Sequence, residues 1–190
     1  MDQFTYAERA TDWRGNNNIA DSIFTQMAHE RHPIPHWIVV GAGTGGTSAT
    51  IGRYVCYHRP VSRVCVSDPA GSVFADYWRT GDTTLTSSGS RIEGIGRPRV
   101  EASFIRELVD ELLTVSDRDS IAAMRDLSAH LGRKVGPSTG TSFHAMLQLA
   151  GAMKTNGMQG SLLALICDSG ERYLNTDHND AWVSQNFPLA

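Results

Sequence analysis

Lysine is nearly missing from this 190-residue chain. Lys134 and Lys154 are the only two, and arginine supplies the rest of the positive charge. Lys and Arg together number 17 against 20 Asp and Glu, a formal net charge of -3. A chain without a basic excess has no electrostatic footprint for nucleic acid, so that partner is excluded. Cysteine is scarce too: Cys56, Cys65 and Cys167 are widely spaced, with no C-x-x-C pair. An odd, scattered set excludes a disulfide scaffold and points to a reducing compartment, the thiols serving as small buried hydrophobes. No run of about 20 apolar residues exists, which excludes a membrane-spanning helix. The opening residues carry Asp2 and Glu8 where a secretory signal is basic and then apolar. The expectation is a cytoplasmic protein with no membrane partner.

Hydrophobic residues make up 41% of the chain and charged residues 19%, an ordinary globular balance. The length suits one domain, residues 1–190, with residues 1–35 as a loop and helix segment leading into it. A helix over 19–29, capped by Asn18 or a neighbour, places Ile19, Ile23, Phe24 and Met27 on one face, and Pro33 and Pro35 end it. Strands follow at 36–40, 63–67, 113–116 and 161–167. Helices alternate with them at 44–58, 70–77, 101–110, 117–130 (capped by Asp117) and 140–153. A short extended piece falls at 133–136, and the tail holds a short helix around 178–185. Residues 79–99, rich in Gly, Ser, Thr and Arg, read as a long loop. Alternation of this kind predicts an α/β fold, a mostly parallel sheet with helices on both faces in three layers. Ligands of such sheets bind beyond the carboxyl ends of the strands.

One of those ends carries the stretch VVGAGTGGTSATI. Gly41, Gly43 and Gly46 spell G-x-G-x-x-G, and Asp68 closes the next strand where a ribose-binding acid would stand. A Rossmann-type dinucleotide site is therefore one reading, and a plain tight turn is another. A third is a cage for one phosphate. Backbone N–H groups from Gly43 to Thr47 converge at a helix N-terminus, and Thr44 and Thr47 add hydroxyl donors. Each hydrogen bond to a charged acceptor contributes roughly 1.5–3 kcal/mol. A second glycine turn, GPSTGT at 136–141, also opens a helix, with Ser138 placed to face whatever the first turn holds.

Four segments in this order, GAGTGGT at 41–47, IEGIG at 92–96, GPSTGT at 136–141 and SGERYLNT at 169–176, resemble the pyridoxal-phosphate enzymes of the cysteine synthase and cystathionine β-synthase family (fold type II). The opening DQF at 2–4 is similar as well. GIGRPRVEASF and NNNIADSIF look closest to its bacterial L-cysteine desulfhydrase branch. The resemblance implies pyridoxal 5'-phosphate as cofactor, a large-domain fold, and a small cysteine-like amino acid as substrate. It implies that Gly43, Thr44, Gly45, Gly46 and Thr47 bind the cofactor phosphate and that Ser138 faces the pyridine nitrogen. Gly94 would line the cavity beside the reacting carbons, and Asp168 would lie near the pyridine edge. A neutral hydroxyl at that nitrogen makes the ring a weaker electron sink than a carboxylate would. That favours β-elimination or β-replacement over transamination.

The family's chemistry needs a lysine that forms the Schiff base and moves the α-proton. In the family it lies well upstream of the phosphate loop, and here no lysine precedes Gly41. Lys134 and Lys154 read as solvated surface. The expectation is a truncated segment, an incomplete large domain with no catalytic residue of its own. It would be inactive alone and would need a missing N-terminal segment as partner or assemble as a homo-oligomer (dimer). The missing strands should leave a sheet edge and apolar surface exposed. The activity implied is β-elimination on L-cysteine releasing sulfide, pyruvate and ammonia. Alternatives are cysteine synthase-type β-replacement, the dinucleotide reading, and an inactive remnant or partner-binding module. His29, His32 and His36 are loop histidines with no metal-binding set. Ser87, Ser88 and Ser90 form no nucleophile elbow. Arg97 and Arg99 are loop charges that could meet a substrate carboxylate.

Overall fold

The structure, a computed structural model, describes Ala7, residues 19–58 and residues 61–187. DQF at 2–4, the Asn16–Asn18 run and the proposed Asn18 cap lie outside the described residues. Four strands form one sheet: β1 (Pro35–Gly41), β2 (Arg63–Pro69), β3 (Glu111–Val115) and β4 (Ser161–Ala164). All pair in parallel, in the order β3-β2-β1-β4. The helices are α1 (Ile19–Met27), α2 (Gly46–His58), α3 (Phe74–Thr80), α4 (Asp117–Leu131), α5 (Pro137–Thr155) and α6 (Asp180–Asn186). The architecture is a three-layer α/β domain, as the alternating pattern predicted.

The period-2 alternation of the strands separates two cores. Ile38, Val40, Val64 and Val66 point to one face and pack with Ile51 of α2, Phe74 of α3 and Phe104. Trp37, Val39 and Cys65 point to the other, against Ala145, Leu149 and Met153 of α5. Strands covered on both faces read as continuous apolar runs, which is why β1 and β2 were legible. α4 and α5 pack so closely that a Cβ on Gly140 would overlap the carbonyl oxygen of Ser120 and stand 2.6 Å from Met124 Cβ. Thr141 Oγ1 donates to Ser120 Oγ at 2.9 Å across the same contact.

Several expected boundaries move, for identifiable reasons. The helix expected at 101–110 is a single 3-10 turn, Arg106–Leu108. Glu101 is buried between Arg97 and Arg99, and Phe104 stacks on Phe74 with centroids 4.3 Å apart, so tertiary contacts take the residues a helix would use. Ser116, not Asp117, caps α4: its Oγ accepts from Asp119 N and donates to Asp119 Oδ2. α3 starts later than expected, at Phe74, and α5 starts earlier, with Pro137 in its first turn. GPSTGT is thus the first turn of that helix rather than a loop before it. β4 stops at Ala164, short of Cys167. Of the three cysteines only Cys65 is buried; Cys56 and Cys167 are exposed, and all are free. Among the described residues no helix is long and apolar enough to cross a membrane.

Candidate functional site

The carboxyl end of β1 and the turn after it, the loop 90–97, the first turn of α5 and the segment after β4 surround one cavity of about 740 Å³. Gly41, Gly43, Thr44 and Thr47 line it from the β1–α2 turn, and Gly94 from the loop. Ser138, Cys167, Asp168 and Arg172 line it from the opposite side. The structure therefore brings Gly43, Thr44, Thr47, Gly94, Ser138 and Asp168 onto one space, although Ser138 follows Thr47 by 91 residues in the sequence. Gly45 and Gly46 lie behind the lining. Gly45 takes φ +85° and packs on Phe104, whose Cα would stand 2.5 Å from an added Cβ. Gly46 N donates to Thr44 Oγ1 at 3.2 Å, which shapes the turn.

The turn has the donors an anion needs. Gly43, Thr44, Gly45 and Thr47 N–H groups make no hydrogen bond among the described residues, and they stand at the N-terminus of the 13-residue helix α2. The space they border depends on glycine. A Cβ on Gly43 would overlap the carbonyl oxygen of Gly94, and one on Gly41 would stand 2.7 Å from Ile95 Cγ2. Gly94 has φ +87° and nothing within 4 Å of its Cβ position, so its α-carbon faces open space. The loop is pinned there: Gly96 N donates to Ala42 O at 2.8 Å, and Val73 N donates to Arg97 O at 2.8 Å.

On the far side, Ser138 is 5% exposed and presents a hydroxyl to the cavity. Although Cys167 as a residue is exposed, protein packed around its sulfur pushes the thiol above its usual range, opposed by a hydrogen bond with Ser138 and helped by the Asp168 charge. Asp168 Oδ2 accepts from the Tyr173 hydroxyl at 2.7 Å, while Oδ1 is buried without a hydrogen-bond partner among the described residues and packs against Gly136, where a Cβ would overlap it. Asp168 O also accepts from Gly136 N, tying this segment to the start of α5. Desolvation and the Asp168 bond drive the Tyr173 phenol well above its ordinary range, so it stays a donor.

Every charged lining residue is already engaged. Arg97 and Arg99 both bind Glu101, at 2.9 and 3.4 Å, and so are committed within the loop rather than free for a carboxylate. Arg172 Nη2 meets Glu93 Oε1 at 2.7 Å. Glu93, Cys167 and Arg172 escaped the sequence reading. Glu93 and Arg172 had a signal in their place inside the IEGIG and SGERYLNT segments; Cys167 lies just before the second. Asp68, the candidate ribose ligand, is fully buried; its Oδ2 accepts from Ala75 N at 3.0 Å and a Ser72 hydrogen bond also reaches it. It offers nothing to a dinucleotide. Among the described residues no group of three or more His, Cys, Asp and Glu side chains is placed to hold a metal ion. No lysine lines the cavity.

A family model described as "Pyridoxal-phosphate dependent enzyme" matches residues 2–168. The chain belongs to that family. Among curated pyridoxal-phosphate relatives it is 58% identical over 186 residues to "L-cysteine desulfhydrase Cds1" of Mycobacterium tuberculosis, covering 97% of this chain and 50% of the relative. "Cysteine synthase 2" of Schizosaccharomyces pombe is 29% identical, covering 93% and 46%. Among solved structures, the O-acetylserine dependent cystathionine beta-synthase from Helicobacter pylori superposes with a TM-score of 0.71 at 26% identity, covering 92% of this chain and 51% of that one. The chain thus spans about half the length of these relatives. The residues present fit the family's cofactor. Amides unpartnered among the described residues and two threonine hydroxyls suit a phosphate, the open side of Gly94 leaves room beside them, and a neutral hydroxyl lines the same cavity.

Proposed function

We propose that this chain supplies the cofactor-holding part of a pyridoxal-phosphate-dependent enzyme that eliminates the β-substituent of L-cysteine, giving sulfide, pyruvate and ammonia. The observation that carries the proposal is the single cavity shared by the glycine turn, Gly94 and Ser138, in a chain 58% identical to an L-cysteine desulfhydrase. When bound, pyridoxal phosphate supplies an electron sink for the charge left at the substrate's α-carbon. The chain's own residues orient it. Amides of Gly43, Thr44, Gly45 and Thr47, with the Thr44 and Thr47 hydroxyls, hold the phosphate, while the Gly46 amide, expected to join them, is taken by Thr44 Oγ1 and shapes the turn instead. Ser138 meets the ring nitrogen with a neutral hydroxyl, which keeps the sink modest and favours loss of a β-substituent. The open α-carbon side of Gly94 leaves room for the substrate, and Asp168, held by Tyr173, keeps the turn that carries Ser138 in place.

The amine that moves the α-proton comes, in this proposal, from a polypeptide segment outside this sequence, because neither lysine reaches the cavity lining. Mixing the chain with pyridoxal phosphate, reducing with borohydride and mapping labelled lysines by mass spectrometry tests this. Noncovalent cofactor binding without label is expected, with sulfide release restored by a chain that carries the relative's other half. Label on Lys134 or Lys154 together with turnover contradicts it. Similarity to a cysteine synthase supports a second reading, β-replacement. Under it the restored enzyme makes cysteine from O-acetylserine and sulfide faster than it destroys cysteine. A partner-binding module without catalysis is the outcome if the restored pair does neither.

A further inference from the structure

The IEGIG loop and the segment after β4 are joined across the cavity rim by one ion pair. Arg172 Nη2 donates to Glu93 Oε1 at 2.7 Å, between residues 79 apart in sequence, and both side chains line the cavity. They are 63% and 58% exposed. A pair this exposed adds little to stability, so its place over the cavity is the feature to explain. Of the remaining lining charges, Arg97 is bound by Glu101, and Asp168 accepts from Tyr173 through Oδ2 while its Oδ1 packs against Gly136. The loop is anchored on its other side by Arg91, whose guanidinium lies 4.2 Å over the Phe187 ring and donates to Asn186 O. Glu93 therefore sits on a braced loop, directly before the open Gly94.

We infer that the Glu93–Arg172 pair selects amino-acid substrates by side-chain charge, Glu93 masking Arg172 so that a second carboxylate finds no cation in the cavity. An uncharged side chain, such as that of cysteine or serine, enters a rim of balanced charge. An acidic side chain meets the Glu93 carboxylate and must break an existing ion pair to reach Arg172, and like charge at short range disfavours it. With Glu93 neutralised, Arg172 becomes a receptor for that carboxylate. The inference rests on the cofactor reading and names the substrate class of the same cavity.

The test uses reduced cofactor–amino acid conjugates, which need no lysine: phosphopyridoxyl-L-alanine, phosphopyridoxyl-S-methyl-L-cysteine and phosphopyridoxyl-L-glutamate, titrated calorimetrically into the full chain. The wild type should bind the two neutral conjugates about tenfold or more tightly than the glutamate conjugate. Glu93→Gln should gain about tenfold for the glutamate conjugate alone, and Glu93→Gln combined with Arg172→Gln should lose that gain. Equal binding of all three by the wild type, or a Glu93→Gln profile identical to it, overturns the inference while leaving the cofactor reading intact. Failure of the wild type to bind even the alanine conjugate overturns both. Both side chains are exposed, so the variants should fold, and an unchanged melting temperature verifies it.

Discussion

Gly43 and Gly94 face each other across the cavity floor so closely that the carbonyl oxygen of Gly94 occupies the position a Cβ on Gly43 would take. The contact locks the β1–α2 glycine turn to the IEGIG loop. Gly43→Ala must push that loop aside. Pyridoxal phosphate affinity should fall about tenfold or more, with roughly 1–3 kcal/mol of stability lost to overpacking. Equilibrium dialysis and urea unfolding measure the two effects; unchanged affinity would show that the loop does not form the cradle.

Asp68 makes stability depend on pH. Burial raises its carboxyl to about 6, against hydrogen bonds from Ser72 and the Ala75 amide that favour the charged form, with Asp76 adding repulsion. The folded chain therefore holds a proton that the unfolded chain has released. Its contribution is fully present below the ordinary carboxylate range and is lost as pH rises through about 6. The difference is on the order of 3 kcal/mol. Asp68→Asn should flatten the fall in urea midpoint between the ordinary carboxylate range and neutrality, relative to wild type. Parallel curves for the two proteins would contradict this assignment.

The cysteines report on the cavity. Cys167 lines it, Cys56 is exposed on α2 away from it, and Cys65 is buried with its thiol pushed up to about 12. Iodoacetamide should label Cys56 and, more slowly, Cys167, and leave Cys65 untouched. Pyridoxal phosphate should protect Cys167 and not Cys56. Equal protection, or none, would place the ligand elsewhere.

An open edge invites association. Among the described residues β4 ends the sheet, and it is only half-buried along its length. Beside it, Leu127, Phe143 and Met146 form an apolar groove with Leu131 and Ile166, each 43% exposed. Unpaired edges beside apolar surface promote self-association. Sedimentation velocity should show reversible association of the wild type, reduced in Leu131→Lys combined with Ile166→Lys. A wild type that stays monomeric across the accessible concentration range would contradict the expectation.

What the sequence made legible followed from local physics. The buried runs of β1 and β2 and the glycine turn between β1 and α2 announced themselves, because a strand covered on both faces must be apolar and a tight turn must be glycine-rich. The motif order also placed Ser138 opposite that turn before any geometry was known. Failures came where side-chain partners rather than spacing decide. Glu101, Phe104, Ile105 and Leu108 carry helical spacing, yet Arg97 and Phe74 claim two of them. Asp68 looked like a ligand at a strand end, and only its burial shows otherwise. The Glu93–Arg172 pair has no local signature, since neither residue's neighbours name its partner.

The most direct test of the account is a nitrogen–proton NMR titration of the chain with pyridoxal phosphate, with inorganic phosphate in parallel. Both ligands should move the amide resonances of Gly43, Thr44, Gly45 and Thr47, and only the cofactor should also move those of Gly94 and Ser138. Binding that leaves the 43–47 amides unmoved, or no binding at all, would contradict the assignment of this cavity to the cofactor.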